Sequence, residues 1–125
     1  MLSDYLAVAT VPATDMERAK KFYSEKLGFE PVVENPEYIE FHAAEGTRFT
    51  LFPTRAASGA GHTVLSFEVD NVEKVVEDLK GRGVVFEEYD MPDLKTVNGI
   101  ATIEGFKGAW FKDSEGNILA VGQRT

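Results

Sequence analysis

Two histidines and a few well-placed carboxylates are the side chains here that can move a proton near neutral pH. His42 and His62 each offer an imidazole as a general base or an anion-binding group. Glu68 shares the face of an expected strand with His62, Val64 and Ser66 if side chains alternate, and so offers a carboxylate for acid-base work. Glu40 and His42 share a face on another strand in the same way. Each candidate also has a plainer reading. His42 ends a strand just before Ala43-Ala44-Glu45-Gly46, and His62 follows Gly59-Ala60-Gly61, a solvated link between two halves. Glu68 reads equally well as a solvated or salt-bridged carboxylate. The absence of cysteine removes disulfides, thiol nucleophiles and thiolate metal sites from consideration.

Flat side chains form a second set. Trp110 and Phe52 fall near strands expected to line a concavity, where an aromatic can stack on a planar ligand, and core packing accounts for them equally well. Phe41 and Phe111 are assigned to the core. The stretch 90–107 is long for a connection, and long connections often carry function. Within it Lys95 and Asn98 are candidate anion or carbonyl contacts, and 97–103 also reads as a strand edge.

The elements that must position these groups come in two similar series. A strand over 6–11 is followed by a helix over 15–27, with Thr14 and Glu17 at capping-box spacing and a stripe of Met16, Ala19, Phe22, Tyr23 and Leu27. Gly28 suits the left-handed end of that helix. Strands are expected over 30–34, 38–42 and 48–52, broken at Asn35-Pro36 and Glu45-Gly46. The second half repeats the order with a strand over 63–69 and a helix over 71–80, whose stripe is Val72, Val75, Val76 and Leu79. Strands over 84–89, 108–112 and 118–123 follow. Asp15-Met16-Glu17-Arg18 aligns with Asn71-Val72-Glu73-Lys74, 56 residues further on, and the same offset pairs Val8 with Val64. A period this long reads as a duplicated module. The expected architecture is therefore α+β, with one module over about 1–56, the other over about 62–125, and the two sheets curving around a shared cleft.

Composition supports one independent domain. The chain has 125 residues, 43% hydrophobic and 27% charged, ordinary values for a globular protein. A net charge of -8 repels phosphate backbones and anionic lipids, so no nucleic acid is expected as partner. No apolar stretch approaches the roughly 20 residues of a membrane span. Met1-Leu2-Ser3-Asp4-Tyr5 carries an acid where an export signal needs basic residues, so the expected location is the cytoplasm.

Val11-Pro12-Ala13-Thr14-Asp15-Met16-Glu17-Arg18-Ala19-Lys20-Lys21-Phe22-Tyr23, with Leu27-Gly28-Phe29, resembles the opening of the vicinal oxygen chelate superfamily. Trp110-Phe111-Lys112-Asp113-Ser114-Glu115-Gly116-Asn117-Ile118-Leu119 is similar to its closing phrase. That superfamily includes glyoxalase I, extradiol dioxygenases, fosfomycin-modifying enzymes and bleomycin-binding resistance proteins. The resemblance implies tandem βαβββ modules forming a curved mixed sheet around a cleft, and a homodimer. It also implies metal ligands on the first and fourth strands of each module, positions that match Val8, Thr50, Val64 and Ala120 here. Val and Ala have no lone pair to donate and Thr50 alone is a poor ligand, so neither metal nor other cofactor is expected. His62 shares a face with Val64 but lies about 6.6 Å back along the strand, whereas metal–nitrogen bonds are near 2 Å.

The expected pocket floor comprises Val8, Thr10, Thr50, Phe52, Val64, Ser66 and Ala120, with Trp110 beside it and Lys95 and Asn98 above. Three functions fit: a metal-free binder of a small hydrophobic or aromatic molecule, an enzyme using a displaced metal or Glu68, His42 and His62, and a domain whose cleft serves a protein partner.

Overall fold

Both helices begin in the same way, on a short polar side chain that bonds the backbone three residues ahead. In the computed structural model, which describes residues 1–55 and 61–124, Asp15 accepts from Arg18 N at 3.0 Å and Asn71 from Lys74 N at 3.1 Å. Helix α1 (Met16–Lys21) runs on into a π-helical turn (Phe22–Lys26), and α2 covers Val72–Gly81. The capping box expected at Thr14 and Glu17 is not formed. Asp15 is the cap, because the Thr14 hydroxyl donates instead to Glu115, far along the chain.

The first sheet has the order β1-β4-β3-β2, from β1 (Ala9–Ala13), β2 (Pro31–Glu34), β3 (Ile39–His42) and β4 (Arg48–Pro53). The second has the order β5-β10-β9-β8-β7-β6. Its strands are β5 (Thr63–Glu68), β6 (Asp90–Met91), β7 (Leu94–Val97), β8 (Ile100–Ile103), β9 (Phe106–Lys112) and β10 (Ile118–Arg124). In each sheet the first strand pairs in parallel with the last, Thr10 opposite Thr50 and Ser66 opposite Ala120. The remaining pairs are antiparallel. Parallel first and last strands need a crossover between them, and the helix of each module supplies it.

Two of the expected strands change most. The first strand begins at Ala9 rather than at residue 6. The strand expected over 84–89 is reduced to an isolated bridge of Phe86 with Phe111, supported by Glu87 N donating to Trp110 O. The segment then leaves the sheet because Tyr89 pairs with Thr96, whose hydroxyl accepts from Tyr89 N at 2.8 Å. Strand β9 is seven residues long, against four for its counterpart β3, and β8 covers the part that Phe86 does not. The stretch 90–107 is thus an ordered extension of the sheet.

One core joins the two modules. Phe41 and Phe49 pack against Tyr23, with ring centroids 5.7 and 5.6 Å away, and Phe29 bridges Phe49 at 5.2 Å to Phe67 of β5 at 5.7 Å. Leu119, Val121, Ala109 and Phe111 add the helix-facing side of the second sheet. Each fully buried aromatic or aliphatic side chain contributes roughly 1.5–3 kcal/mol. Alternation then leaves the other face of both sheets, the open face, free of helices. No helix among the described residues is long and apolar enough to cross a membrane.

Candidate functional site

On the first sheet the open face carries a polar row. Thr10, Thr50 and Glu40 stand opposite one another across β1, β4 and β3, and one step along Arg48 stands opposite His42. The Glu40 carboxylate lies 2.7 Å from His42 Nε2, and Arg48 Nη1 stands 4.0 Å from the same oxygen. A histidine held by a carboxylate can accept a proton, but its side chain is 47% exposed and nothing adjoining it supplies a nucleophile.

The second sheet presents a different surface. Ser66, Ala120 and Trp110 form one row across β5, β10 and β9. Gly108 and Gly122 pair directly in the next row, and the outer atoms of the Phe106 ring lie over them. A β-carbon would come within 2.6 Å of that ring at Gly108 and within 2.9 Å at Gly122, so only glycine admits this approach. Tyr89 meets Trp110 edge-on, with centroids 5.8 Å apart and planes at 75°. Phe106, Trp110 and Tyr89 therefore build an aromatic shelf beside Ala120, with the small floor residues keeping it open. Sequence reasoning named Trp110 and Ala120 as candidates but neither Phe106 nor Tyr89. The signal that could have found Phe106 is the glycine in the middle of each of two neighbouring strands.

The remaining candidates are dispersed. Val8 lies just ahead of β1 and is half-buried, as are Val64 and Phe52 on the open face. Glu68 is 83% exposed, with Arg124 3.6 Å away. His62 is exposed ahead of β5, its Nδ1 3.1 Å from the Thr63 carbonyl oxygen, and most of the expected link before it lies outside the described residues. The register of β7 puts Lys95 on the side that faces Glu73 of α2, away from the shelf. Asn98 sits in the β7–β8 turn, with its carbonyl accepting from Lys80.

At one end the sheets do not close. Strand β1 starts opposite Phe49, so Arg48 has no β1 neighbour, and a cavity of about 430 Å³ lies between the β3–β4 turn and β5. Thr47, Arg48, Ser66 and Glu68 form its polar rim, over Phe49 and Phe67.

The open faces do not suit a metal. Val8, Thr50, Val64 and Ala120 supply no carboxylate or imidazole, and among the described residues no three His, Asp or Glu side chains converge. Glu40 and His42 are two donors already bonded to each other.

The strongly perturbed carboxyl, Glu115, lies elsewhere, in the β9–β10 turn. Glu115 is fully buried and accepts from Thr14 N, Asp15 N and the Arg18 guanidinium at 2.7–3.1 Å. Burial works to raise its pKa, but the bonds from Arg18, Asp15, Thr14 and Ser114 outweigh it and hold the carboxyl at about 2. Asp113 accepts from Tyr23 Oη at 2.7 Å and from Asn117 N and Nδ2 at 2.9 Å. Burial first and Asp113 second push the Tyr23 phenol well above its ordinary value. With its oxygens committed to these bonds, the turn acts as a latch between modules rather than as a reactive site.

The geometry has counterparts in known proteins. Residues 5–121 match the family described as Glyoxalase/Bleomycin resistance protein/Dioxygenase superfamily. The chain is 29% identical over 109 residues to a trivalent organoarsenical cleaving enzyme of Bacillus sp. (strain MD1). That alignment covers 83% of this chain but only 63% of that protein, so the chain spans less than two thirds of this curated relative. Among solved structures, TnmS3, an antibiotic binding protein from Streptomyces sp. CB03234, superimposes with a TM-score of 0.69 at 23% identity, over 97% of this chain and 96% of that one. A glyoxalase family protein from Enterococcus faecalis gives 0.71 at 22%, over 98% and 99%. At these identities the structural likeness is one of fold.

Proposed function

The chain belongs to the glyoxalase/bleomycin resistance protein/dioxygenase superfamily, and we propose that within it this protein binds, without a metal, a small planar apolar molecule in the cleft between its modules. The observation that carries this reading is the shelf of Trp110, Phe106 and Tyr89 beside Ala120. A face of rings over glycine and alanine offers flat apolar contact and no charge with which to polarise a carbonyl. The likeness to an antibiotic binding protein supports the same class of ligand. The Glu40–His42 pair and the similarity to an organoarsenical cleaving enzyme favour a second reading, an acid-base enzyme on the first sheet. Against arsenic as its substrate, the chain has no cysteine to hold a thiol-seeking centre. A homodimer completes the proposal, since β2 and β6 end their sheets with unpaired edges.

The test is a thermal-shift screen of planar aromatic compounds, biphenyl-4-carboxamide among them, against wild type, Trp110→Ala and Ala120→Trp. Stabilisation of wild type that is lost in both variants is the expected result. A ligand that stabilises all three equally removes the shelf from the site.

A further inference from the structure

Arg48 stands at the edge of a cavity with one distant ion-pair partner, Glu40, and no hydrogen-bond acceptor for its Nε among the described residues. Its Nε is buried and unpartnered. Its Nη1 approaches Glu40 only to 4.0 Å, beyond hydrogen-bond reach, and that Glu40 oxygen already bonds His42 Nε2 at 2.7 Å. A guanidinium presents donors in a planar fork that matches the two oxygens of a carboxylate. A buried donor left unsatisfied is costly, so an incoming acceptor gains more here than at a solvated arginine.

The surroundings decide which acceptor fits. Arg48 walls the cavity of about 430 Å³ at the open end, over the apolar floor of Phe49, Leu65 and Phe67; sites for small ligands fall in this size range. Among the described residues Arg48 is the only Lys, Arg or His in that lining, and Glu68 stands at the same rim, though it is 83% exposed with Arg124 at 3.6 Å. One cation beside a rim carboxylate, on a chain of net charge -8, suits a monoanion and disfavours a phosphate dianion. Ser66, also in the lining, belongs to the row that continues through Ala120 to Trp110. From Ser66 to Trp110 is two strand spacings, about 10 Å. The notch and the shelf are thus two ends of one surface.

We infer that the ligand is an aromatic acid, its planar body on the Trp110–Phe106 shelf and its carboxylate on Arg48. This rests on the shelf being the ligand site, as proposed above. Calorimetric titration of the full chain with biphenyl-4-carboxylate and with its neutral analogue biphenyl-4-carboxamide separates the two ideas. Wild type should bind the acid roughly tenfold more tightly than the amide. Arg48→Gln should abolish that preference, Arg48→Lys should keep part of it, and Trp110→Ala should weaken both compounds. Added salt should shrink the preference in wild type, a readout that holds even if Arg48→Gln fails to fold. Equal binding of acid and amide by wild type, or a preference that survives in Arg48→Gln, overturns the assignment of Arg48 while the shelf stands. If neither compound binds, the shelf reading and this inference fall together.

Discussion

The two modules end their last hairpins differently. In the second module the turn between β9 and β10 reaches across to the first, where Glu115 takes up Thr14 N, Asp15 N and Arg18. In the first module the turn between β3 and β4 also carries a Glu-Gly pair, but Glu45 is exposed with φ 55°, and beyond it lies the open notch. The start of α2 does not call on that turn: Val72 N donates to Gln123 of β10 at 2.7 Å, and Lys74 N to Asn71. Once its helix has found acceptors inside its own module, the first module's turn has nothing to weld. The fold therefore has one closed end, which holds the modules together, and one open end, where a cavity lies beside Arg48 and its Nε has no partner among the described residues.

The sharpest way to break this contrast is at Glu115. Replacing it by Ala removes the acceptor for two backbone N–H groups and leaves Arg18 unpaired, which should cost about 3 kcal/mol. Thermal denaturation should show a fall of roughly 10 °C for a domain of this size; a fall of a degree or two would mean that the core alone holds the modules.

Acid should loosen the same end in wild type. The Glu115 carboxyl titrates at about 2 in the fold, below its ordinary 4.5, so its contribution is fully present above about 4.5 and is lost as pH falls toward 2. Denaturant midpoints followed through that window should decline in wild type and flatten in Glu115→Ala. Parallel declines would assign the acid sensitivity to other carboxylates.

The smallest effect belongs to the open end. Glu45→Ala should change stability by no more than about 0.5 kcal/mol, since an exposed turn side chain has nothing to lose. A drop comparable to that at Glu115 would show that the two turns are equivalent after all.

Much of this was legible along the chain. Apolar stripes at helical spacing located both helices, starting at about Asp15 and Asn71, because that periodicity is carried by neighbouring residues. The superfamily resemblance put Phe41 and Phe111 in the core, where both are buried, and strand alternation put Ser66 and Glu68 on one face, because a pleated strand has a fixed period of two. The same local logic misplaced the cap at Thr14 and drew a strand over 84–89, where a hairpin pairing at Thr96 prevailed.

What the sequence determined by itself is where the two helices and most of the strands lie and which side of each turns inward. The tertiary structure alone decided that Glu115 is a latch, that Phe106 lies on Gly108 and Gly122, that Lys95 turns away toward α2, and that the Nε of Arg48, beside a cavity, has no partner among the described residues. The physical reason is separation. Periodicity and capping act over a few residues, whereas Glu115 meets its partners about a hundred residues away, and no local pattern fixes which side chains from two packed modules arrive at the same place.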